Sequence, residues 1–101
     1  MKRVTPLETS AIEQALLALP GWRYENAALV RDYRFRDFQE AMAFILRVSY
    51  LAEAQQHHPV VHNVYASVTL SLQTHDAGNT VTERDVALAK AIQSLPEASN
   101  D

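Results

Sequence analysis

Ala66-Ser67-Val68-Thr69-Leu70-Ser71-Leu72-Gln73 alternates apolar and polar side chains over eight positions without a slip. A period of two is the period of a β-strand, so the even positions share one face and the odd positions the other. The even row is apolar and packs on something; the odd row, Ser67, Thr69, Ser71 and Gln73, is polar and faces away. A strand with one covered and one polar face belongs to an antiparallel sheet that carries its helices on one side.

Working back from this strand, Val60 and Val61 suggest a shorter one, and Pro59 before them disfavours helical geometry at His58. A helix therefore ends by that point. Its start is Asp37, an N-cap with Glu40 three residues on, followed by Phe38, Ala41, Met42, Ile45, Val48 and Ala52 at three- to four-residue spacing. Further back, Trp22–Glu25 and Leu29–Arg36 read as two strands around a turn at Asn26-Ala27. The first helix runs over Thr9–Leu19, with Ile12, Ala15, Leu16 and Leu19 on one stripe and Pro20-Gly21 as its stop; Thr5, Pro6 and Glu8 offer an earlier start as a capping box.

Working forward, Gly78 and Asn79 break the strand, and Thr82 with Asp85 caps a third helix carrying Val86, Leu88, Ala89 and Ile92 before Pro96. The order is helix, strand, strand, helix, strand, strand, helix. Strands grouped in hairpins rather than alternating with helices give an α+β fold, an antiparallel sheet with the helices on one face.

A chain of 101 residues with no linker, repeat or low-complexity stretch reads as a single domain over 1–101. Nine Lys and Arg against 12 Asp and Glu leave a net charge of −3 with the signs mixed along the chain. No basic stripe argues for nucleic acid or an anionic membrane as a direct partner. Without cysteine there is no disulfide framework, no thiolate nucleophile and no zinc-thiolate site, which fits a cytoplasmic protein. No stretch approaches the roughly 20 apolar residues of a membrane span. The polar tail Glu97-Ala98-Ser99-Asn100-Asp101 is expected to fray.

The residues with chemistry to offer cluster in the second half. Glu53 and His57 are four apart and are expected on one face at the C-terminal end of the second helix. His58 follows directly, held extended by Pro59, so the two imidazoles point in different directions. His75 is expected to end the long strand on its polar face, whose row forms either a small-molecule surface or a subunit interface. Histidine both gives and takes a proton near neutral pH, and loss of water needs one group to protonate the departing hydroxyl and another to take a proton elsewhere.

Each of these residues has a plainer role open to it. Glu53 can be a solvated helix residue or pair within its helix. His57 and His58 can cap the helix C-terminus, and Asp85 is accounted for by the Thr82 capping box. His62 reads as structural or exposed, and the Tyr65 ring as packed in the sheet. Four histidines with Glu53 are enough ligands for zinc, but adjacent imidazoles rarely converge on one ion and no established histidine spacing is present. No metal and no cofactor are expected.

Glu53, three residues, His57-His58-Pro59, five residues, Tyr65, nine residues, His75, nine residues and Asp85 together resemble the signature of the pterin-4a-carbinolamine dehydratases, also known as the dimerisation cofactor of a homeodomain transcription factor. The likeness continues through Leu19-Pro20-Gly21-Trp22, Phe35-Arg36-Asp37-Phe38, Asn63-Val64-Tyr65, Thr74-His75-Asp76 and Glu83-Arg84-Asp85, over roughly Leu7 to Leu95. It implies a four-stranded antiparallel sheet with three helices, assembled as a homodimer or homotetramer. The implied reaction is loss of water from 4a-hydroxytetrahydrobiopterin or a related pterin to give the quinonoid dihydropterin, recycling the cofactor of aromatic amino-acid hydroxylases.

By the same resemblance His57, His58 and His75 are the acid/base histidines, Glu53 and Asp85 orient or tune them, and Thr74, His75 and Asp76 line the pterin site. Val60 and Val61 stand where the family commonly has an acidic and an aromatic residue. The segment from His75 to Asp85 is one residue longer than in the family's animal members. The competing function is a non-catalytic binding or assembly protein on the same fold; retention of all three histidines favours the enzyme. Self-association is expected as well, because the strand over Ala66–Thr74 is long for so small a domain.

Overall fold

The computed structural model describes residues 4–96, so the C-terminal tail lies outside the described residues. Helix α1 spans Thr9–Leu16, β1 Arg23–Glu25, β2 Ala28–Arg34, α2 Phe38–Ala54, β3 Val60–Val64, β4 Ser67–Leu72 and α3 Glu83–Gln93, with a 3₁₀ turn at His75–Ala77. The four strands form one antiparallel sheet in the order β1-β2-β4-β3. This is the α+β order read from the sequence.

The alternation in β4 sets the layers. Val68, Leu70 and Leu72 are buried at 0–1 % exposure and join Leu29 and Tyr33 of β2 against Ile12 of α1, Phe44 and Val48 of α2, and Leu88 and Ile92 of α3. All three helices thus bury their apolar stripes on the same side of the sheet. Each fully buried Leu or Phe contributes roughly 1.5–3 kcal/mol relative to staying exposed. Tyr33, Phe35 and Phe44 form an aromatic group at the centre, with ring centroids 4.5 to 6.0 Å apart.

On the other side of the sheet the polar row is partly spoken for. Thr69 donates its hydroxyl to Asp32 at 2.6 Å, and Arg23 pairs with Asp32 at 2.9 Å. Thr69 is thereby tied into a cross-strand polar network with Asp32 and Arg23.

Boundaries differ from the sequence reading where backbone geometry overrides periodicity. Helix α1 ends at Leu16, and Leu17 to Leu19 follow in tight i→i−3 turns. Pro20 disfavours helical geometry at Leu19, which turns inward and is 1 % exposed. The capping box at Thr5 does not form: Glu8 is the N-cap and supplies no side-chain cap bond. Leu7 N–H instead donates to Val81 O at 2.9 Å, tying the leading segment to the approach to α3.

Asn26 and Ala27 make the β1–β2 turn with φ of 52° and 61°, the left-handed pair that a two-residue hairpin wants. Gln73 holds it from the end of β4, its Nε2 donating to Asn26 O at 3.3 Å and Ala27 O at 3.1 Å. Tyr65 is not packed in the sheet. It turns β3 into β4 at φ 50° and its ring is 64 % exposed. Asn63 stabilises that turn by donating Nδ2 to Tyr65 O and Ser67 O.

Candidate functional site

The end of α2 decides where the first two histidines go. Asp37 caps its start, accepting the Glu40 N–H at 2.8 Å. At its end Gln56 adopts φ 51°, and Gln56 N–H donates to Glu53 O while His57 N–H donates to Ala52 O. These two bonds are a Schellman closure, normally built on glycine. The chain reverses there, so His57 leaves the helix face that Glu53 occupies. The shared helix face expected for Glu53 and His57 is therefore not found. Glu53 instead holds His58, with Oε1 3.0 Å from Nε2, both side chains well exposed.

His57 is 8 % exposed and turned inward, its Nε2 2.6 Å from Asp85 Oδ1. A carboxylate oxygen accepts, so Nε2 carries the proton and Nδ1 keeps the lone pair of the neutral ring. Asp85 is fully buried. Its other oxygen, Oδ2, accepts the Thr74 hydroxyl and the Thr82 N–H, each at 2.8 Å. Thr82 and Thr74 hydroxyls lie 2.6 Å apart; with the Thr74 proton directed at Asp85, Thr82 donates to Thr74, and its oxygen accepts the Arg84 N–H at 3.2 Å. The capping box of α3 and the anchoring of His57 are thus the same carboxylate.

His75 is displaced from its expected place. Strand β4 ends at Leu72, Thr74 makes an isolated bridge to Thr80, and His75 opens the 3₁₀ turn that Gly78 closes at φ 87°. It is exposed, with Nδ1 3.0 Å from Asn79 Oδ1.

These segments meet around an open pocket of about 210 Å³ lined by Gln56, His57, His58, Gln73, Thr74, His75, Asp76 and Arg84. Five of the seven residues singled out from the sequence line it. The other two, Glu53 and Asp85, stand behind His58 and His57 as their hydrogen-bond partners. Thr74 faces the pocket with its hydroxyl turned inward to Asp85. Larger hollows lie over the polar sheet face and between α1 and α3, but neither holds a histidine. Gln56, Gln73 and Arg84 also line the pocket and were not among the site residues read from the sequence. Gln73 was visible only as the last member of the polar row, and Arg84 only as the neighbour of Asp85.

The histidines do not converge on one point: each is tied to a different oxygen, of Asp85, Glu53 or Asn79. Among the described residues no group of three or more His, Asp or Glu is placed to hold a metal ion. In chemical terms the pocket offers three rings, each with one N–H fixed by an oxygen acceptor and one nitrogen left to exchange a proton.

Residues 5–95 match the family described as pterin 4 alpha carbinolamine dehydratase. The chain belongs to this family. Its pterin dehydratase relatives include a protein of Opitutus terrae, provisionally named a pterin-4-alpha-carbinolamine dehydratase, 47 % identical over 91 residues that cover 90 % of this chain and 94 % of the relative. One from Thermomicrobium roseum, with the same provisional name, is 47 % identical over 89 residues, covering 88 % and 95 %.

Among solved structures, the transcriptional coactivator/pterin dehydratase of Brucella melitensis superposes with a TM-score of 0.82 at 35 % identity, covering 88 % of this chain and 96 % of that one. A pterin dehydratase-like protein described as a RuBisCO assembly factor of the alpha-carboxysome shares the fold, with a TM-score of 0.63 at 20 % identity over 80 % and 93 %. Pterin dehydration is the general activity that the family supports. No helix among the described residues is long and apolar enough to cross a membrane.

Proposed function

We propose that the protein dehydrates a 4a-hydroxytetrahydropterin, with 4a-hydroxytetrahydrobiopterin or a close relative as substrate, and that His57, His58 and His75 carry the proton transfers. In the reaction the C4a–O bond breaks and the hydroxyl leaves as water with a proton from a general acid. The N5 lone pair closes a C4a=N5 double bond, and a general base removes the N5 proton. Atoms and charge balance with two protein groups, one giving and one taking a proton.

The observation that carries this reading is that three differently anchored imidazoles line one pocket, with His57 fixed from behind by buried Asp85. Thr74 and Asp76 would contact the pterin at the pocket wall, while Glu53 and Asp85 serve through the histidines they hold. A volume of about 210 Å³ is below the usual range for a fully enclosing ligand site. The pterin ring system would therefore bind with one side open to solvent or to another copy of the chain. Reduction of the quinonoid product would return the pterin to use by an aromatic amino-acid hydroxylase.

The assembly role named for the carboxysome protein makes a non-catalytic function the second reading for this fold. The three retained histidines favour turnover. A spectroscopic assay of 4a-hydroxytetrahydropterin breakdown separates the two: wild-type protein is expected to exceed the spontaneous rate, and His57→Ala, His58→Ala and His75→Ala each to fall by about 10²-fold or more. Wild-type protein no faster than these variants would overturn the proposal.

A further inference from the structure

His75 and Asn79 stand at the two ends of a loop that backbone bonds close. Thr74 N–H donates to Thr80 O at 2.8 Å, Gly78 N–H to His75 O at 3.0 Å and Asn79 N–H to Thr74 O at 3.1 Å. The closure needs left-handed backbone at two consecutive positions, Gly78 at φ 87° and Asn79 at φ 60°. Asn and Asp enter that region far more readily than most residues with a side chain, and Gly enters it freely. Backbone geometry thus admits Gly, Asn or Asp at position 79 and does not by itself select among them.

The side chain does what Gly cannot: its Oδ1 lies 3.0 Å from His75 Nδ1. An amide oxygen only accepts, so the proton of the neutral ring sits on Nδ1 and the lone pair on Nε2. His75 is exposed, and without this partner water would compete at both nitrogens. His57 and His58 are anchored by the carboxylates of Asp85 and Glu53. His75 differs in having an anchor that orients its ring without bringing a negative charge.

We infer that Asn79 is a positioning residue for the dehydration, holding His75 as the Nδ1–H tautomer so that Nε2 is the nitrogen that takes a proton. This rests on the acid/base role proposed above for His75. It deepens that reading by assigning His75 to the base side of the reaction and by giving its loop a task beyond chain reversal.

Two measurements on the full chain test it. Nitrogen NMR of the histidine rings, with no substrate present, reads the His75 tautomer directly; the dehydration assay reads kcat and KM. In wild-type protein the neutral His75 ring is expected to be Nδ1-protonated. Asn79→Gly keeps the left-handed backbone and is expected to give a tautomer mixture, with kcat lower by about 10-fold, the scale of an orienting partner, and KM little changed. Asn79→Asp keeps the acceptor oxygen and is expected to restore the Nδ1–H tautomer and part of the lost rate. In a His75→Ala background, Asn79→Gly is expected to have no further effect, because the partner it would position is gone.

A wild-type ring protonated on Nε2, a tautomer unchanged by Asn79→Gly, or an Asn79→Gly rate loss that persists in the His75→Ala background would each overturn the inference. Turnover unaffected by His75→Ala would instead remove the acid/base role on which its catalytic part depends, an outcome the NMR arm reads separately.

Discussion

Asp85 holds His57 with one carboxylate oxygen and the start of α3 with the other: Oδ1 lies 2.6 Å from His57 Nε2, and Oδ2 accepts the Thr82 N–H at 2.8 Å. One side chain thus satisfies a helix terminus and fixes the ring orientation of a candidate acid/base group. The plain role of Asp85 as a capping residue and its role at the site are not alternatives.

Asp85→Asn separates the two roles. The amide oxygen can still accept the Thr82 N–H, but an amide group turned to His57 offers N–H where the ring presents N–H. A ring that changes tautomer or loses its anchor is expected to lower kcat by about 10- to 100-fold. Stability is expected to fall by about 1–3 kcal/mol for the mismatched buried pair. The dehydration assay and urea unfolding check the two effects; unchanged kcat would show that the orientation of His57 is immaterial to turnover.

Gly21→Ala is expected to destabilise the protein by more than 1 kcal/mol. Gly21 has φ 88°, and a Cβ there would come within 2.7 Å of Arg31 Cζ. Arg31 cannot step aside cheaply, since it is buried, donates Nη1 to Pro20 O at 2.8 Å and Gln93 Oε1 at 2.9 Å, and lies over the Tyr33 ring. A thermal midpoint equal to that of wild type would contradict this.

Acid sensitivity is expected from Asp32. The Thr69 hydroxyl, with Arg23 adding to it, holds this carboxyl below its ordinary value of 3.8. A depressed folded-state value stabilises the fold above the ordinary value, and the contribution disappears as pH falls from there through the depressed one. The side chain is 61 % exposed, so screening limits the contribution to at most about 1 kcal/mol. Urea midpoints of wild type and Asp32→Asn are expected to differ at about pH 6 and to converge by about pH 2. A gap that stays constant over that range would count against the assignment.

Self-association is expected through a different strand from the one the sequence suggested. Strand β4 is paired on both sides, while β3 lies at the sheet edge with Val60, Val61 and Val64 exposed. Neither proline nor lysine interrupts β3, and such an edge invites pairing. Sedimentation at micromolar concentration is expected to show dimers or larger species, weakened by Val64→Lys; a monomer alone would refute this.

The parts of the fold legible in the sequence were those with local causes. The Asp37 cap, the Thr82–Asp85 capping box and the β4 alternation each depend on near neighbours in the chain and each is found, whereas the α2 stripe is found at Ala41, Val48 and Ala52 but not at Phe38, which is exposed. The end of α2 was not legible, because Gln56 carries no mark of the left-handed conformation that Gly would have advertised. The direction of His57 follows from that one residue, and its partner Asp85 is 28 positions away. His75 was misplaced for a similar reason: strand periodicity runs on through Gln73, whereas β4 stops at Leu72 and the chain is turned back into the Thr74–Thr80 bridge by left-handed backbone at Gly78 and Asn79. Most of the residues that line the pocket were readable; which oxygen holds which ring was not.

The hairpin turn at Asn26-Ala27 points to unused thermodynamic headroom. Asn-Gly is the preferred pair for such a turn, and here a single methyl group stands between the sequence and that preference. Ala27 holds φ 61° at a cost of roughly 1 kcal/mol that glycine would not incur. Removing that methyl leaves every pocket-lining side chain in place and leaves the backbone oxygens that Gln73 grips. For an engineer, Ala27→Gly is a place to raise the melting temperature at a turn that meets the pocket through Gln73.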